Sequence, residues 1–187
     1  MSVNNVIDLS EYENSISRKK QFKRVLWLIV WNFLARPFPR KIANTWKLFL
    51  LRCFGAKVHP TSVVYSTAKI YMPWNLEMHE YACLAPQVDC YNVGKVIIGA
   101  HSTVSQKAYL CAASHNVESR KNELIYKPII IESQAWVGAD VFIGMGVTVG
   151  EGAVVGARAA VFKSVDPWTI VGGNPAKFIK KREIKDA

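Results

Sequence analysis

Cysteine and histidine are scarce in this chain of 187 residues, at four each, and acidic residues are few: 14 against 24 Lys and Arg. Cys53, Cys83, Cys90 and Cys111 form no CxxC or other metal-like spacing. This excludes zinc ribbons and fingers. With no signal peptide in view, the four read as free thiols of a reducing cytoplasm. The shortage of acid leaves a net charge of +10. Such an excess serves solubility, or it meets an anionic small molecule, an anionic membrane surface or nucleic acid. No helix-turn-helix, RNP or zinc pattern is present, so nucleic acid is set aside. A long apolar run is also missing. The longest, beginning at Phe22, falls short of the roughly 20 residues that cross a bilayer.

What is present is a period of six. From Ile131 to Asp166 the chain reads IESQAW, VGADVF, IGMGVT, VGEGAV, VGARAA, VFKSVD. An aliphatic residue fills each first place and Ala or Val each fifth. Glycine takes the second place four times running, at Gly138, Gly144, Gly150 and Gly156. A period of six is neither a helix nor a flat strand; it marks a hexapeptide β-helix solenoid. Each unit supplies a short strand and a turn, three units close a triangular coil, and the first places stack inward as a continuous core. Glycine at the second place fits a corner that needs unusual backbone dihedrals.

Upstream the repeat is degraded. One run places Ile98, Val104 and Leu110 first; a looser one places Val58, Val64, Ile70, Leu76, Ala82 and Val88 first, with Trp74 and Glu80 at small-residue places. Leu110 and Ile131 are out of phase, which locates an inserted loop at 115–130. A polar loop ejected from a regular solenoid is a common seat of function.

The first 55 residues are different material: a polar tail over 1–17, then helical stripes. Phe22, Val25, Leu26, Ile29, Val30 and Phe33 form one stripe, with Trp27, Leu28, Trp31 and Leu34 opposite and Lys and Arg at both ends. Pro37 and Pro39 break this helix. A second stripe runs from Ile42 to Cys53 and stops at Gly55, a C-cap. Two readings stand side by side. The pair caps the open solenoid or packs on a neighbouring subunit; or residues 19–41 lie in the cytoplasmic leaflet, with Trp and Lys/Arg at the headgroups.

The segments FGAKV (54–58), PWNLE (73–77), IIGAHSTVSQKAYLCAASH (97–115), AWVGA (135–139) and GGNPAKFIKKR (172–182) resemble the hexapeptide-repeat O-acetyltransferases. Within them they resemble the colanic acid and exopolysaccharide biosynthesis acetyltransferases. The resemblance covers about residues 45–183. It implies a mainly β chain: a left-handed parallel β-helix over 56–187, against the usual right-handed crossover, with N-terminal helices and a short C-terminal helix at 175–184. It further implies a homotrimer that binds acetyl-CoA between subunits. The acceptor would be a sugar or glycolipid, met at the inner face of the membrane.

His115 closes a hexapeptide and opens the inserted loop, where the family keeps its base. A sugar hydroxyl is a poor nucleophile at neutral pH, and neutral imidazole can take its proton during direct transfer in a ternary complex. The plain alternative is a solvated loop histidine. Cys111 lies near but inside a repeat unit, and the family uses no cysteine there. The resemblance places Trp136 at the thioester end, Ala139 and Ala157 along pantetheine, and Lys163, Lys177 and Lys180 near the phosphates, with surface packing or solvation as the alternative for each. Phe162 stands where the family has threonine, which removes a hydroxyl. The Ala139 amide is the candidate oxyanion donor. Asp89 and Asn92 are candidates to orient the acceptor or to fix the His115 tautomer; the family's own acceptor positions hold Ala85 and Val93 here. Three other readings compete: acetylation of serine, an amino sugar or an antibiotic; a scaffold without chemistry; and a metal protein like the γ-class carbonic anhydrases. The last lacks the H-x4-H pair that class uses, and no metal is expected.

Overall fold

A two-residue strand turns one side chain inward and one outward, so a chain of such strands needs neighbours above and below to bury anything. The computed structural model describes residues 9–12, 16–38 and 40–185, and in it the strands stack into three parallel sheets around one core. The first face holds Lys57–Val58, Leu76–Met78, Val96–Ile98, Ile129–Ile131 and Thr148–Val149. The second runs from Val63–Val64 to Thr169–Gly172, and the third from Lys69–Ile70 to Ala160–Val161. The inward columns are Val58, Met78, Ile98, Ile131, Val149; Val64, Leu84, Val104, Val137, Val155, Val171; and Ile70, Cys90, Leu110, Ile143, Val161. All are buried. Cys90 serves as a small hydrophobe, and burial raises its thiol far above the usual range.

The looser upstream run has a different register from the expected one. Met78, Leu84 and Cys90 hold the first places, while Ala82 and Val88 are the small residues two places before the strand ends. His79 consequently follows Met78 at a second place. The cause is a wider third–first corner in the early coils, formed by the turn Pro73–Asn75 and by residues 92–95. Two asparagines staple it. Met72 N donates to Asn92 Oδ1 at 2.8 Å, and Asn92 Nδ2 donates to Met72 O at 2.6 Å. Asn75 Nδ2 donates to Val93 O at 2.6 Å.

The second-place glycines also have another cause. A Cβ on Gly138 would lie 2.7 Å from Val155 O, and one on Gly150 would lie 2.6 Å from Pro167 N. At these two places the next coil approaches too closely for a side chain; at Gly144 and Gly156 the nearest atom would lie 3.3 Å away. The unusual dihedral belongs to the fourth place, where Gln134, Asp140, Gly146, Gly152 and Arg158 all have positive φ.

The expected C-terminal helix at 175–184 is instead a strand, Lys177–Lys181, antiparallel to Thr169–Gly172. The last coil leaves a row of unpaired backbone groups at its edge. A strand satisfies them and a helix would not.

At the other end, two helices close the solenoid. The first, α1 (Arg18–Val30), continues through a π-helical turn at Trp31–Ala35. The second, α2 (Arg40–Cys53), kinks at Ala43. It stops at Gly55 (φ +95°), with Ala56 N bonded to Leu51 O and Gly55 N to Arg52 O, the paired bonds of a Schellman end. The first coil exposes carbonyls on all three faces, and side chains from the helices reach each. Arg52 donates to Val58 O. Asn44 bonds both Ser62 O and Val64 N. Trp31 Nε1 donates to Ala68 O at 3.0 Å, and Trp27 Nε1 to Ile70 O at 2.7 Å. The indoles expected at lipid headgroups, Trp27 and Trp31, are therefore buried against the solenoid. The opposite side of α1 exposes Phe22, Leu26, Ile29 and Phe33. Of the expected polar tail, residues 1–8 and 13–15 lie outside the described residues.

Candidate active site

The inserted segment leaves the third face after Tyr109–Cys111 and rejoins the first at Ile129. It is a β-hairpin, with Ala113–His115 antiparallel to Leu124–Tyr126, and it departs before His115. Its base sits on Gly94, where a Cβ would lie 2.6 Å from Lys127 O and 2.8 Å from Ala112 O. Its tip is braced from within. Asn116 Nδ2 donates to Glu123 Oε1 at 2.8 Å. Hydrogen bonds from Ser119, from the backbone and from Asn116 hold the Glu123 carboxyl below its usual range.

This bracing places the carbonyl of Asn122, a residue with positive φ, 2.7 Å from His115 Nδ1. A carbonyl only accepts, so Nδ1 carries the proton. In the neutral ring Nε2 then keeps its lone pair. His115 is exposed, with the Tyr12 ring 6.0 Å away between centroids. An exposed imidazole with a fixed tautomer and a free Nε2 can take a proton from a hydroxyl. Cys111 Sγ donates to Ala113 O at 3.1 Å, so its proton is engaged by the hairpin.

The structure does not bring the other expected residues to one place within a chain. Trp136 stands on the second face, half exposed, its Nε1 donating to Ser105 Oγ at 2.8 Å. Lys177 and Lys180 extend that face on the last strand, exposed. Ala139 and Ala157 line the turn between second and third faces. Ala139 O accepts from Arg158 N, and the Ala139 N–H has no acceptor among the described residues. Phe162 and Lys163 lie at the third–first edge, in a cleft of about 360 Å³ shared with Asp166, Thr169 and Phe178. The Phe162 ring packs on Phe142 at 5.5 Å. The hairpin occupies that same edge further down, which in a three-faced prism is opposite the second face.

Neither acceptor-side candidate fixes the histidine; the Asn122 carbonyl does. Asn92 is fully buried, with its amide spent on Met72, so it meets no acceptor. Asp89 lies on the third face, 3.7 Å from Lys69 Nζ, in the wall of a cavity beneath α1. Asn122 could not have been found from its side chain, because its carbonyl does the work. Ser105 gave no signal either.

A parallel hexapeptide β-helix that carries an exposed, tautomer-fixed histidine on an ejected hairpin is the framework of an acyltransferase. No protein-family model matches the chain. It is 44% identical over 142 residues, 76% of its length, to WcaF of Escherichia coli strain K12, a protein assigned as a colanic acid biosynthesis acetyltransferase, and covers 78% of that protein. It is 55% identical to an Escherichia coli chloramphenicol acetyltransferase, but over only 53 residues, 28% of the chain and 25% of that protein. A hexapeptide-repeat acetyltransferase of Vibrio cholerae, solved with acetyl-CoA, superposes with a TM-score of 0.77 at 25% identity, covering 92% of this chain and 94% of that one. The chain belongs to the hexapeptide-repeat acetyltransferase family, alongside WcaF, and is an acyltransferase.

Proposed function

We propose that the protein transfers the acetyl group of acetyl-CoA to a sugar hydroxyl in the building of a surface polysaccharide, with His115 as general base. The observation that carries this is the Nδ1–Asn122 hydrogen bond, which leaves Nε2 free to act. Nε2 takes the hydroxyl proton as the oxygen attacks the thioester carbonyl. The C–S bond then breaks, and the imidazolium returns the proton to the departing thiolate, with no acyl-enzyme. The residues present suit the donor. Trp136 offers an exposed, pinned ring, Ala139 and Ala157 leave the backbone open to close approach and Ala139 N–H is available to an oxyanion, and Lys163, Lys177 and Lys180 supply exposed charge for phosphates. Phe162, exposed beside Lys163, offers an apolar surface and no hydrogen bond. Since His115 and Trp136 lie on opposite sides of one prism, a site using both takes them from adjacent copies, which supports a homotrimer; a location in the cytoplasm is part of the same proposal.

Lys163→Ala is expected to weaken acetyl-CoA binding about tenfold, one lost charge-assisted contact, with folding intact. Calorimetric titration measures this; unchanged affinity removes Lys163 from the site. The acceptor is read as a polysaccharide sugar, because the match to WcaF runs over 142 residues and that to a chloramphenicol acetyltransferase over 53. Acetylation of methyl glycosides but not of chloramphenicol is the expected outcome of an acceptor panel.

The exposed stripe Phe22, Leu26, Ile29 and Phe33, with Arg18, Lys19 and Lys20 at its start, supports peripheral contact with the inner membrane face. No described helix is long and apolar enough to cross a membrane. Replacing Phe22 and Phe33 by glutamate is expected to lower co-sedimentation with phosphatidylglycerol vesicles by about tenfold or more. Unchanged partitioning overturns the contact.

A further inference from the structure

Between α1 and the third face lies a cavity of about 500 Å³, within the range of small-molecule sites. Its walls are aromatic and cationic. Tyr71, Tyr91 and Tyr109 come from the sheet, Lys69 from its first strand, Arg24 from α1, and Arg36 from the end of the π-helical turn that follows it. Three cations thus line the cavity with one carboxylate, Asp89, which among the described residues lies at ion-pair distance from Lys69. The Arg24 guanidinium sits over the Tyr71 ring, its Cζ 4.4 Å from the ring centre. Its Nε is buried and has no hydrogen-bond acceptor among the described residues. A buried charged donor without an acceptor costs free energy unless a ligand supplies one. Burial raises the Tyr91 and Tyr109 phenols above their usual range, so both remain hydrogen-bond donors.

The cavity has a direction. Cys111, two residues before the hairpin, pairs with Tyr91 across the third face, so the wall leads toward His115. On α1 the residues facing the cavity, Arg24, Trp27 and Leu28, alternate with Phe22, Leu26 and Ile29 on the exposed stripe. A molecule seated here has sugar-sized aromatic walls, an excess of positive charge and an apolar helix surface at the mouth.

We infer that this cavity seats the phosphate and first sugar of a glycosyl phosphate or diphosphate, with Arg24 as the principal phosphate ligand and Arg36 and Lys69 as supporting charges. The inference rests on the sugar-acceptor reading and adds to it a requirement for phosphate on the acceptor. Arg24 presents a guanidinium fork, held by Tyr71, to the phosphate oxygens. Asp89 and the tyrosine hydroxyls are left to the sugar.

The test is calorimetry on the full-length protein with hexose 1-phosphates and the matching methyl glycosides, without acetyl-CoA. At least tenfold tighter binding of the phosphates is expected. Arg24→Gln should abolish that difference, and Lys69→Gln should reduce it, while both leave acetyl-CoA affinity unchanged and the protein cooperatively folded. Equal binding of the two ligand sets overturns the inference, as does a phosphate preference that survives in Arg24→Gln. Displacement of the phosphates by coenzyme A also overturns it, since they would then occupy the donor groove. Equal binding of hexuronates would assign the site to any anion and overturn the phosphate. A nucleotide-linked hexose and a hexose diphosphate on a short prenyl chain separate the two sources; the tighter ligand names the source, and failure of both to exceed the methyl glycoside overturns the seat. If the phosphates fail while acetyl-CoA binds and a neutral sugar is acetylated in a His115-dependent way, only this inference falls. If no sugar accepts acetyl, the acceptor reading falls with it.

Discussion

His115→Ala is expected to lower kcat for acetyl transfer by about 10²–10⁴-fold, the usual contribution of a positioned general base, while acetyl-CoA binding stays within about twofold. The separation follows from geometry. His115 is exposed at the end of the hairpin's first strand, and its side chain makes one described hydrogen bond, to Asn122 O, so its removal empties no core. The hairpin keeps its antiparallel ladder and the Asn116–Glu123 bond. KM for the acceptor should move little, because a base acts in the transition state and contributes little to ground-state binding. His115→Asn cannot rescue the rate, since an amide accepts no proton near neutral pH. Steady-state kinetics beside calorimetry decide the matter. A kcat within a factor of five of the parent would remove His115 from the chemistry and return it to the status of a solvated loop histidine.

The largest effect on stability is expected from Trp27→Ala. Trp27 is fully buried. Its ring packs at 5.0 Å on Trp31 and at 5.1 Å on Phe54, and its Nε1 satisfies the Ile70 carbonyl at the solenoid's open end. Truncating a buried tryptophan costs about 3–5 kcal/mol, and the exposed carbonyl adds to the loss. At about 2–4 °C per kcal/mol for a chain of this size, Tm should fall by roughly 10 °C. Trp46→Ala makes the comparison, since Trp46 is partly exposed and should cost far less. Because a solenoid is stabilised coil by coil, the fraying should begin at the capped end. Amide exchange would rise first around residues 58–72 and last around 131–155. A melting temperature within 2 °C of the parent would mean that the helical cap contributes nothing to the fold.

The class of the fold was legible because the hexapeptide places its signal in the strictest part of the core. Ile131, Val137, Ile143 and their successors must be aliphatic to stack, and a period of six with an aliphatic first place marks the hexapeptide β-helix. The early coils were harder to read because their widened corner, stapled by Asn75 and Asn92, adds residues without changing the inward chemistry. Ala82 and Val88 are as apolar as the true first-place residues, so composition could not separate them. The C-terminal helix was mistaken for a similar reason: the local pattern of Lys177–Lys181 carries no information about the open sheet edge it meets. Asn92 illustrates the same limit in the site. A polar residue in an irregular stretch resembles an acceptor ligand until its burial is known.

By itself the sequence determined the β-helix, the presence of an ejected segment between the third and first faces, and the helical N-terminus; the hairpin's start, two residues ahead of His115, came from the tertiary structure. Each of the first three depends on residues close in the chain whose spacing is set by local geometry. Only the tertiary structure decided which nitrogen of His115 is free, what closes each end of the solenoid, and that Arg24 meets the tyrosines of the third face over a common cavity. Those outcomes depend on backbone carbonyls, edge pairing and contacts across dozens of residues, where one group's partner is fixed by how distant segments pack and not by the residues beside it.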